Sequence, residues 1–298
     1  MKKNIKFDTN YFFKLLSMEK FWTLIYKKFP SFYVFNVNKR YGNNKEFKLK
    51  IKGVTILFSI EDFYSRTWIY KRCDFNKIHE ENVIDVLAKY LKSSKCFVDV
   101  GAHIGYYTFL ASKLMSSGNV FSFEMDEINY RLLEKNFKLN KSKNAHIYNL
   151  AISDSTGVIN YARNSGQPDP TLSSEEKSLD IKNGESVSIK TVSLDDFFKN
   201  IDPKPDIIKI DVEGAEMQVL KGMKQLLKKE DIKIFLEVHP ERLSEFGLSV
   251  KKVISFLMDR GYNVFEFQDF RKEHEGSGLS KIGRDAQLSK NTMLFAYK

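Results

Sequence analysis

The chain has 298 residues, 42% of them apolar, and a formal net charge of +10. This length fits one catalytic domain with an addition, because α/β domains often reach about 250 residues as one unit. The 48 Lys and Arg residues are spread along the chain rather than clustered on one helix, so no nucleic-acid partner is expected. The sequence contains no apolar run of about 18 residues and no secretory apolar segment. A cytoplasmic location is therefore expected.

Residues 1–74 are predicted to form an N-terminal extension of helices and strands, followed by a main domain at 75–298. Apolar positions from Phe12 to Tyr26 recur at helical spacing. This pattern favours a helical cap on the main domain. A second interpretation stays open, in which the aromatic and basic N-terminal segment contacts a membrane surface or a lipid-linked substrate.

The region 46–72 is predicted to be β-structure. Lys48 to Ile60 alternates and contains β-branched residues, and Tyr64 to Tyr70 is rich in aromatic residues. A further hairpin is predicted from 157–162 and 186–192.

From residue 96 onward, apolar strands alternate with helices. The predicted strands are 96–101, 119–124, 146–152, 206–211, 233–238, 262–267 and 292–297. Alternation of this kind indicates a parallel sheet with helices on both faces. Only a polar loop separates the last two strands, so the last strand is expected to pair antiparallel. We predict an α/β fold of the Rossmann-like class I methyltransferase type, with a seven-stranded sheet, an antiparallel last strand and an N-terminal α+β extension.

A glycine-containing loop, from Asp99 to Gly105, follows the first of these strands. Its glycines let the backbone turn sharply, and the next helix presents free N–H groups to a ligand. Glu124 ends the second strand, 19 residues after Gly105, and a carboxylate about 20 residues beyond such a loop can bind ribose hydroxyls. The G-x-x-x-G spacing differs from the G-x-G-x-x-G of pyrophosphate-binding loops, and Asp99 suits an ammonium group. S-adenosylmethionine is therefore favoured, and an NAD-dependent oxidoreductase is the alternative.

The third strand ends near Ala151 and Asp154. A small residue and a carboxylate at this point suit the edge of an adenine ring. The alternative is a turn built by Ser153, Asp154 and Gly157, and the residues alone do not separate the two.

The fourth and fifth strands end in ionisable residues. Lys209, Asp211 and Glu213 alternate and so share one face, whereas Glu216 suits the start of a helix. Such groups at the end of a buried strand are costly unless they bind something. His239 follows the fifth strand and is the predicted general base.

In this hypothesis Asp211 assists the base, and Lys209 and Glu213 orient the acceptor. A metal-assisted variant with Asp211, Glu213 and His239 as ligands is the less favoured alternative. No resident metal is predicted.

Four separated motifs occur in a recognisable order. They are AspValGlyAlaHisIleGlyTyrTyrThr at 99–108, SerLeuAspAsp at 193–196, LysIleAspValGluGlyAlaGlu at 209–216 and GluValHis at 237–239. In these motifs the chain resembles the FkbM family of methyltransferases over roughly residues 75–265. The family usually has Asn where this chain has His103.

The resemblance implies an S-adenosylmethionine-dependent O-methyltransferase with a small-molecule or glycan acceptor, such as a hydroxyl of a sugar or polyketide. It also implies that Asp99, Gly101 and Glu124 hold the cofactor, with Asp211 near it. The complete predicted cofactor set is Asp99, Gly101, Ala102, His103, Gly105, Thr108, Glu124, Ala151, Asp154 and Asp211. An RNA methyltransferase or nucleic-acid-binding protein is a further alternative, suggested by the positive charge.

Overall fold

The structure is a computed structural model that describes most of the chain. The described residues are 30–75, 77–164, 184–268, 270–271 and 278–298. The predicted helical segment from Phe12 to Tyr26 lies outside them. Two compact units are present, one with residues up to 47 and 58–79, and the other with 48–57 and 80–298. The domain boundary expected between residues 74 and 75 stays a prediction.

The described part of the first unit contains helices α1 (Pro30–Tyr41) and α2 (Phe63–Arg72). The prediction of a strand at Tyr64–Tyr70 was wrong, because this segment is part of α2. Asp62 caps the helix by accepting a hydrogen bond from the Ser65 backbone N–H at 2.8 Å. A side-chain cap of this kind satisfies a free helical N–H and outweighs the strand preference of the aromatic residues.

An ion pair between the partly exposed Arg40 and the buried Asp74 ties α1 to the end of α2. Arg40 donates two hydrogen bonds of 2.8 Å to the Asp74 carboxylate, and Tyr41 donates a third at 3.0 Å. Burial acts to raise the pKa of Asp74, but these hydrogen bonds lower it below its usual value. On α1, Phe32 and Phe35 are 55% and 61% exposed. The proposed membrane contact of the N-terminal region stays a prediction.

The alternating stretch from Lys48 to Ile60 forms a hairpin of strands β1 (Glu46–Ile51) and β2 (Val54–Ser59). Lys52 and Gly53 make the turn, both with positive φ, as a two-residue hairpin loop requires. Asn140 of the second unit exchanges two hydrogen bonds with the Leu57 backbone, at 2.8 and 3.0 Å.

The second unit is built on a mixed sheet. Its strands are β3 (Cys96–Val100), β4 (Asn119–Phe123), β5 (Ala145–Tyr148), β9 (Ile207–Ile210), β10 (Lys233–Val238), β11 (Asn263–Phe267), β12 (Leu279–Lys281) and β13 (Thr292–Tyr297). Their spatial order is β12-β11-β13-β10-β9-β3-β4-β5. The last strand, β13, pairs antiparallel with both β10 and β11. This confirms the predicted α/β fold and its antiparallel last strand.

Two details of the sheet differ from the prediction. An eighth, three-residue edge strand, β12, lies in the polar loop predicted between the last two strands. The predicted third strand is split, because only β5 joins the main sheet, whereas β6 (Ala151–Ile152) pairs with β8 (Gly184–Val192). Strand β8 also pairs antiparallel with β7 (Gly157–Asn164), which confirms the predicted hairpin and lengthens it.

Helices cover the sheet between the strands. They are α3 (Glu81–Leu91), α4 (Tyr106–Leu114), α5 (Glu127–Asn140), α6 (Leu194–Phe197), α7 (Glu216–Lys221), α8 (Pro240–Glu245) and α9 (Val250–Met258). Helix α7 is short, with six residues. It ends at Gly222, where the backbone of Ser153 packs so closely that a Cβ would lie 2.0 Å from its carbonyl oxygen. In the described part of the chain, no helix is long and apolar enough to span a membrane.

The register of the sheet brings the predicted site residues to one edge. Asp99 of β3 lies opposite Lys209 of β9, and Lys209 lies opposite Phe235 of β10. The carboxyl ends of these three parallel strands therefore meet, which is where open α/β sheets bind ligands.

Candidate active site

The glycine loop after β3 passes close to the end of β9. Gly101 has φ +82°, and a Cβ on it would lie 1.8 Å from the main-chain oxygen of Asp211. Gly105 precedes α4 with φ +90°, and a Cβ there would collide with the Phe109 ring at 2.2 Å. Both glycines are therefore required by the backbone, as their spacing suggested. His103 also has a positive φ, of 53°.

Glu124 holds this loop from the neighbouring strand. Its carboxylate accepts hydrogen bonds from the His103 backbone N–H at 2.7 Å and from the Asp126 backbone N–H at 2.9 Å. Burial raises the pKa of Glu124 to about 7, although the two backbone hydrogen bonds act in the opposite direction. The predicted ribose-binding carboxylate thus lies directly beside the glycine loop.

Asp99 is buried at the foot of the same loop. Its Oδ2 accepts a hydrogen bond from the Thr108 hydroxyl at 2.7 Å, and Thr108 also contacts the Ser122 hydroxyl at 2.9 Å. Its Oδ1 has no hydrogen-bond partner among the described residues, and the nearest cation is the Lys209 ammonium at 4.0 Å. Burial raises the pKa of Asp99. A buried acceptor without a donor is costly, which suggests that a ligand supplies one.

The other predicted cofactor residues differ in position. Ala102 is in the loop and buried, whereas Thr108 is fully buried behind Asp99, so it positions that carboxylate. Ala151 pairs with β8. Asp154 is exposed and lies against Gly222, at the opposite end of α7 from the strand-end carboxylates. The structure therefore does not bring Asp154 to the rest of the set, and its contacts with the hydroxyls of Ser153 and Ser155 fit the alternative of a turn.

Lys209 is a buried cation that links the strand ends. Its ammonium lies 3.3 Å from Asp211 and 4.7 Å from the centre of the Tyr107 ring. Burial acts to lower the pKa of Lys209, but Asp211, Asp99 and further carboxylates outweigh it and raise that pKa. Only 3% of the residue is exposed. This buried position suits a residue that holds the carboxylates together. It suits less well the predicted role, in which Lys209 orients an acceptor directly.

The end of β10 and the turn after β9 form a cluster of ionisable groups around His239. The ring Nδ1 lies 2.7 Å from Glu216, and Nε2 lies 3.7 Å from Asp211 and 3.4 Å from Glu213. Glu237 approaches Nε2 to 3.5 Å. His239, Glu216 and Glu237 are buried, whereas the side chains of Asp211 and Glu213 are 30% and 49% exposed. The predicted catalytic residues therefore meet at one place, open to solvent on one side.

This environment bears on the predicted role of His239 as a general base. Burial acts to lower the pKa of the ring, but the carboxylates, Glu216 and Glu237 foremost, raise it to about 11. The ring therefore holds a proton at neutral pH, which is the wrong form for a base. His239 would act as a base only when the surrounding negative charge is offset, and this role stays a prediction.

Several residues of the site were not identified from the sequence. Glu237 shares a strand face with His239, two residues further on, and that period-two spacing was the signal that could have found it. Glu216 was assigned only to the start of a helix, but its carboxylate bonds the histidine ring. Glu80 accepts a 2.5 Å hydrogen bond from Tyr107, and Arg271 donates one of 2.5 Å to Glu237. Glu80 and Arg271 lie outside the motifs, so no local pattern pointed to them.

The buried carboxyl of Glu124 gives the fold a dependence on pH. A carboxyl whose pKa is raised by folding, here from 4.5 to about 7, adds stability below pH 4.5 that is lost as the pH rises through 7. In Glu124→Gln this loss should be absent. Between pH 4.5 and 8, the free energy of unfolding of the variant should therefore rise by up to about 3 kcal/mol relative to that of the wild type.

Urea unfolding followed by circular dichroism at a series of pH values measures this difference. Glu127→Gln is the matched control, because Glu127 is exposed and makes its ion pair with Arg131 on the surface of α5. Parallel pH profiles for Glu124→Gln and the wild type would contradict the interpretation.

Comparison with known proteins identifies the family. The family model of the methyltransferase FkbM domain matches residues 99–264. The chain is 30% identical over 162 residues to hexuronic acid methyltransferase AglP of Haloferax volcanii, covering 54% of this chain and 62% of AglP. It therefore matches less than two thirds of the length of that relative. It is 24% identical over 229 residues to methyltransferase sdnD of Sordaria araneosa, covering 68% of this chain and 86% of sdnD.

Among solved structures, the chain is similar to an FkbM methyltransferase from Methylobacillus flagellatus. The sequence identity is 18% and the TM-score 0.44, over 68% of this chain and 44% of the other. The family model covers more than half of the chain, and its matched segment contains the glycine loop, the strand-end carboxylates and His239. This protein therefore belongs to the FkbM family of methyltransferases.

Proposed function

We propose that the protein transfers a methyl group from S-adenosylmethionine to a hydroxyl oxygen of a sugar or glycan acceptor. One observation carries the proposal. A glycine loop supported by two buried carboxylates, Asp99 and Glu124, lies at the same sheet edge as the partly exposed carboxylates of Asp211 and Glu213. The first group offers a site for a cofactor, and the second offers a site for an acceptor.

The residues at the loop fit S-adenosylmethionine. The unpartnered Oδ1 of Asp99 would accept a hydrogen bond from the methionine ammonium, and Glu124 has acceptor capacity left for ribose hydroxyls. The N-terminus of α4 presents free N–H groups beside them. When bound, the cofactor supplies a methyl group on a positively charged sulfur. A pyrophosphate would instead meet the carboxylate of Asp99, which disfavours NAD.

The acceptor side supplies positioning and a route for a proton. A hydroxyl group becomes a good nucleophile only as its proton leaves, and a positioned base contributes about 10²–10⁴ to the rate. We assign this role to the Asp211 carboxylate, and His239, whose Nε2 lies 3.7 Å from Asp211 Oδ1, holds that carboxylate in position. Correct placement of the two reactants contributes about 7–11 kcal/mol more.

A sugar acceptor is supported by the nature of the site and by a relative. The partly exposed carboxylates of Asp211 and Glu213 can accept hydrogen bonds from neighbouring hydroxyls of a sugar ring. AglP, to which the chain is similar, is named for a hexuronic acid. A uronic acid glycoside is therefore the first acceptor to test.

Calorimetric titration of the full chain with S-adenosylhomocysteine and, separately, with NAD tests the cofactor. We expect S-adenosylhomocysteine to bind, and Asp99→Asn to weaken it at least tenfold. Mass spectrometry of uronic acid glycosides incubated with deuterated S-adenosylmethionine then tests the acceptor, with a mass gain on oxygen as the expected result. Binding of NAD without S-adenosylhomocysteine would refute the proposal, as would methylation of RNA alone.

A further inference from the structure

Three side chains at the ends of β9 and β10 can coordinate one ion. Asp211, Glu237 and His239 each offer a ligand atom, and these atoms lie within 4.8 Å of one another. Nε2 of His239 is 3.7 Å from Asp211 Oδ1 and 3.5 Å from Glu237 Oε1. Because the three residues lie at the ends of two paired strands of one sheet, their separation is set by the rigid part of the fold.

The second observation concerns the histidine ring. Nε2 of His239 is buried, is directed at these oxygens and has no hydrogen-bond partner among the described residues. Distances of 3.4–3.7 Å to the carboxylates are too long for hydrogen bonds. They are close to the separation of about 3.0–3.5 Å between two ligands bonded to one cation at about 2.1 Å.

The other ring nitrogen is already fixed. Nδ1 lies 2.7 Å from Glu216 Oε1, an oxygen that also accepts a hydrogen bond from the Gly214 backbone N–H at 3.0 Å. A carboxylate that accepts from one ring nitrogen orients a histidine so that the other nitrogen coordinates a metal. Glu216 is fully buried and thus holds the ring in one orientation.

The charge balance favours a cation. Four carboxylates surround the ring, those of Asp211, Glu213, Glu216 and Glu237. Lys209 contacts Asp211, and Arg271 contacts Glu237. A divalent cation on Nε2 would replace the ring proton and bring one further positive charge to these carboxylates, and buried charges need partners or metals.

We propose that this cluster binds one divalent cation through Asp211, Glu237 and His239, with Glu213 at its exposed side. Two carboxylates and one imidazole are a mixed oxygen and nitrogen donor set, which suits Mn²⁺ or Zn²⁺ better than the all-oxygen environment typical of Mg²⁺. Its role rests on the proposed function. A hydroxyl oxygen that binds the cation loses its proton more readily, and the proton passes to a neighbouring carboxylate while the oxygen keeps the electron pair.

The experiment uses the full chain after treatment with a chelator and dialysis. Titration with Mn²⁺, followed by electron paramagnetic resonance, should show one bound ion per chain, and Zn²⁺ should displace it. His239→Ala and Asp211→Asn should each weaken Mn²⁺ binding at least tenfold. Asp259→Asn is the matched control, since this carboxylate is exposed and pairs with Arg284 on the surface, and it should bind Mn²⁺ like the wild type.

His239→Gln serves as a second variant if His239→Ala does not fold, as judged by circular dichroism. Wild-type protein that binds neither Mn²⁺ nor Zn²⁺, or binds them no more tightly than a folded His239 variant, would overturn the proposal. Methyl transfer that continues in excess chelator would remove the catalytic role alone. Metal binding without any binding of S-adenosylhomocysteine would instead refute the proposed function and leave the metal site standing.

Discussion

Gly101→Ala should lower the free energy of unfolding by about 3 kcal/mol or more. The new Cβ would lie 1.8 Å from the main-chain oxygen of Asp211, so either the loop or the end of β9 has to move. The Asp211 backbone N–H also donates to the Val100 carbonyl at 2.9 Å, which ties the two segments together. A φ of +82° adds about 1–2 kcal/mol for any residue with a side chain, and forced overpacking typically adds about 1–3 kcal/mol.

Gly53→Ala separates these two contributions. Gly53 has nearly the same φ, +81°, but a Cβ there would meet nothing within 4 Å. Only the conformational cost should appear, about 1–2 kcal/mol. Urea unfolding of both variants measures the difference, and equal losses would show that the contact with Asp211 does not matter. Gly101→Ala should also lose binding of S-adenosylhomocysteine, whereas Gly53→Ala should retain it.

His239→Ala should reduce turnover by about 10²–10⁴, while the dissociation constant of S-adenosylhomocysteine changes less than about threefold. The ring lies among Asp211, Glu213, Glu216 and Glu237. No described contact joins it to the glycine loop or Glu124. Its loss should therefore act on the acceptor and its proton, and not on the cofactor.

Steady-state rates at saturating cofactor, together with calorimetry, test this separation. The matched control is His146→Ala. His146 lies on the edge strand β5, where it stacks on Phe121 and contacts Asn119 of β4. It should leave both measurements near the wild-type values. An unchanged rate in His239→Ala would exclude the residue from the reaction, and a parallel loss of cofactor binding would assign it to the cofactor site.

Local sequence patterns determined most of the main fold. Apolar runs of four to six residues separated by amphipathic helices are enough to specify a parallel sheet. The sequence between the last two predicted strands has no helical pattern, and this was enough to predict the antiparallel pairing of β13. The glycine positions were also visible, because Gly101 and Gly105 have positive φ, which few other residues tolerate. The prediction failed where local signals competed. At α2 the aromatic residues are typical of a strand, but the helix cap at Asp62 outweighed them.

Only the tertiary structure decided which polar residues act together. Asp211, Glu237 and His239 become neighbours because β9 pairs with β10 in one particular register, whereas Asp154 is carried to the far end of α7 by the pairing of β6 with β8. Arg271 and Glu80 join the cluster from distant parts of the chain. A sequence reveals the conformational preference of each segment, but the charges that surround one ring nitrogen depend on long-range packing. The pKa of His239 and its capacity to bind a cation are therefore properties of the assembled sheet edge.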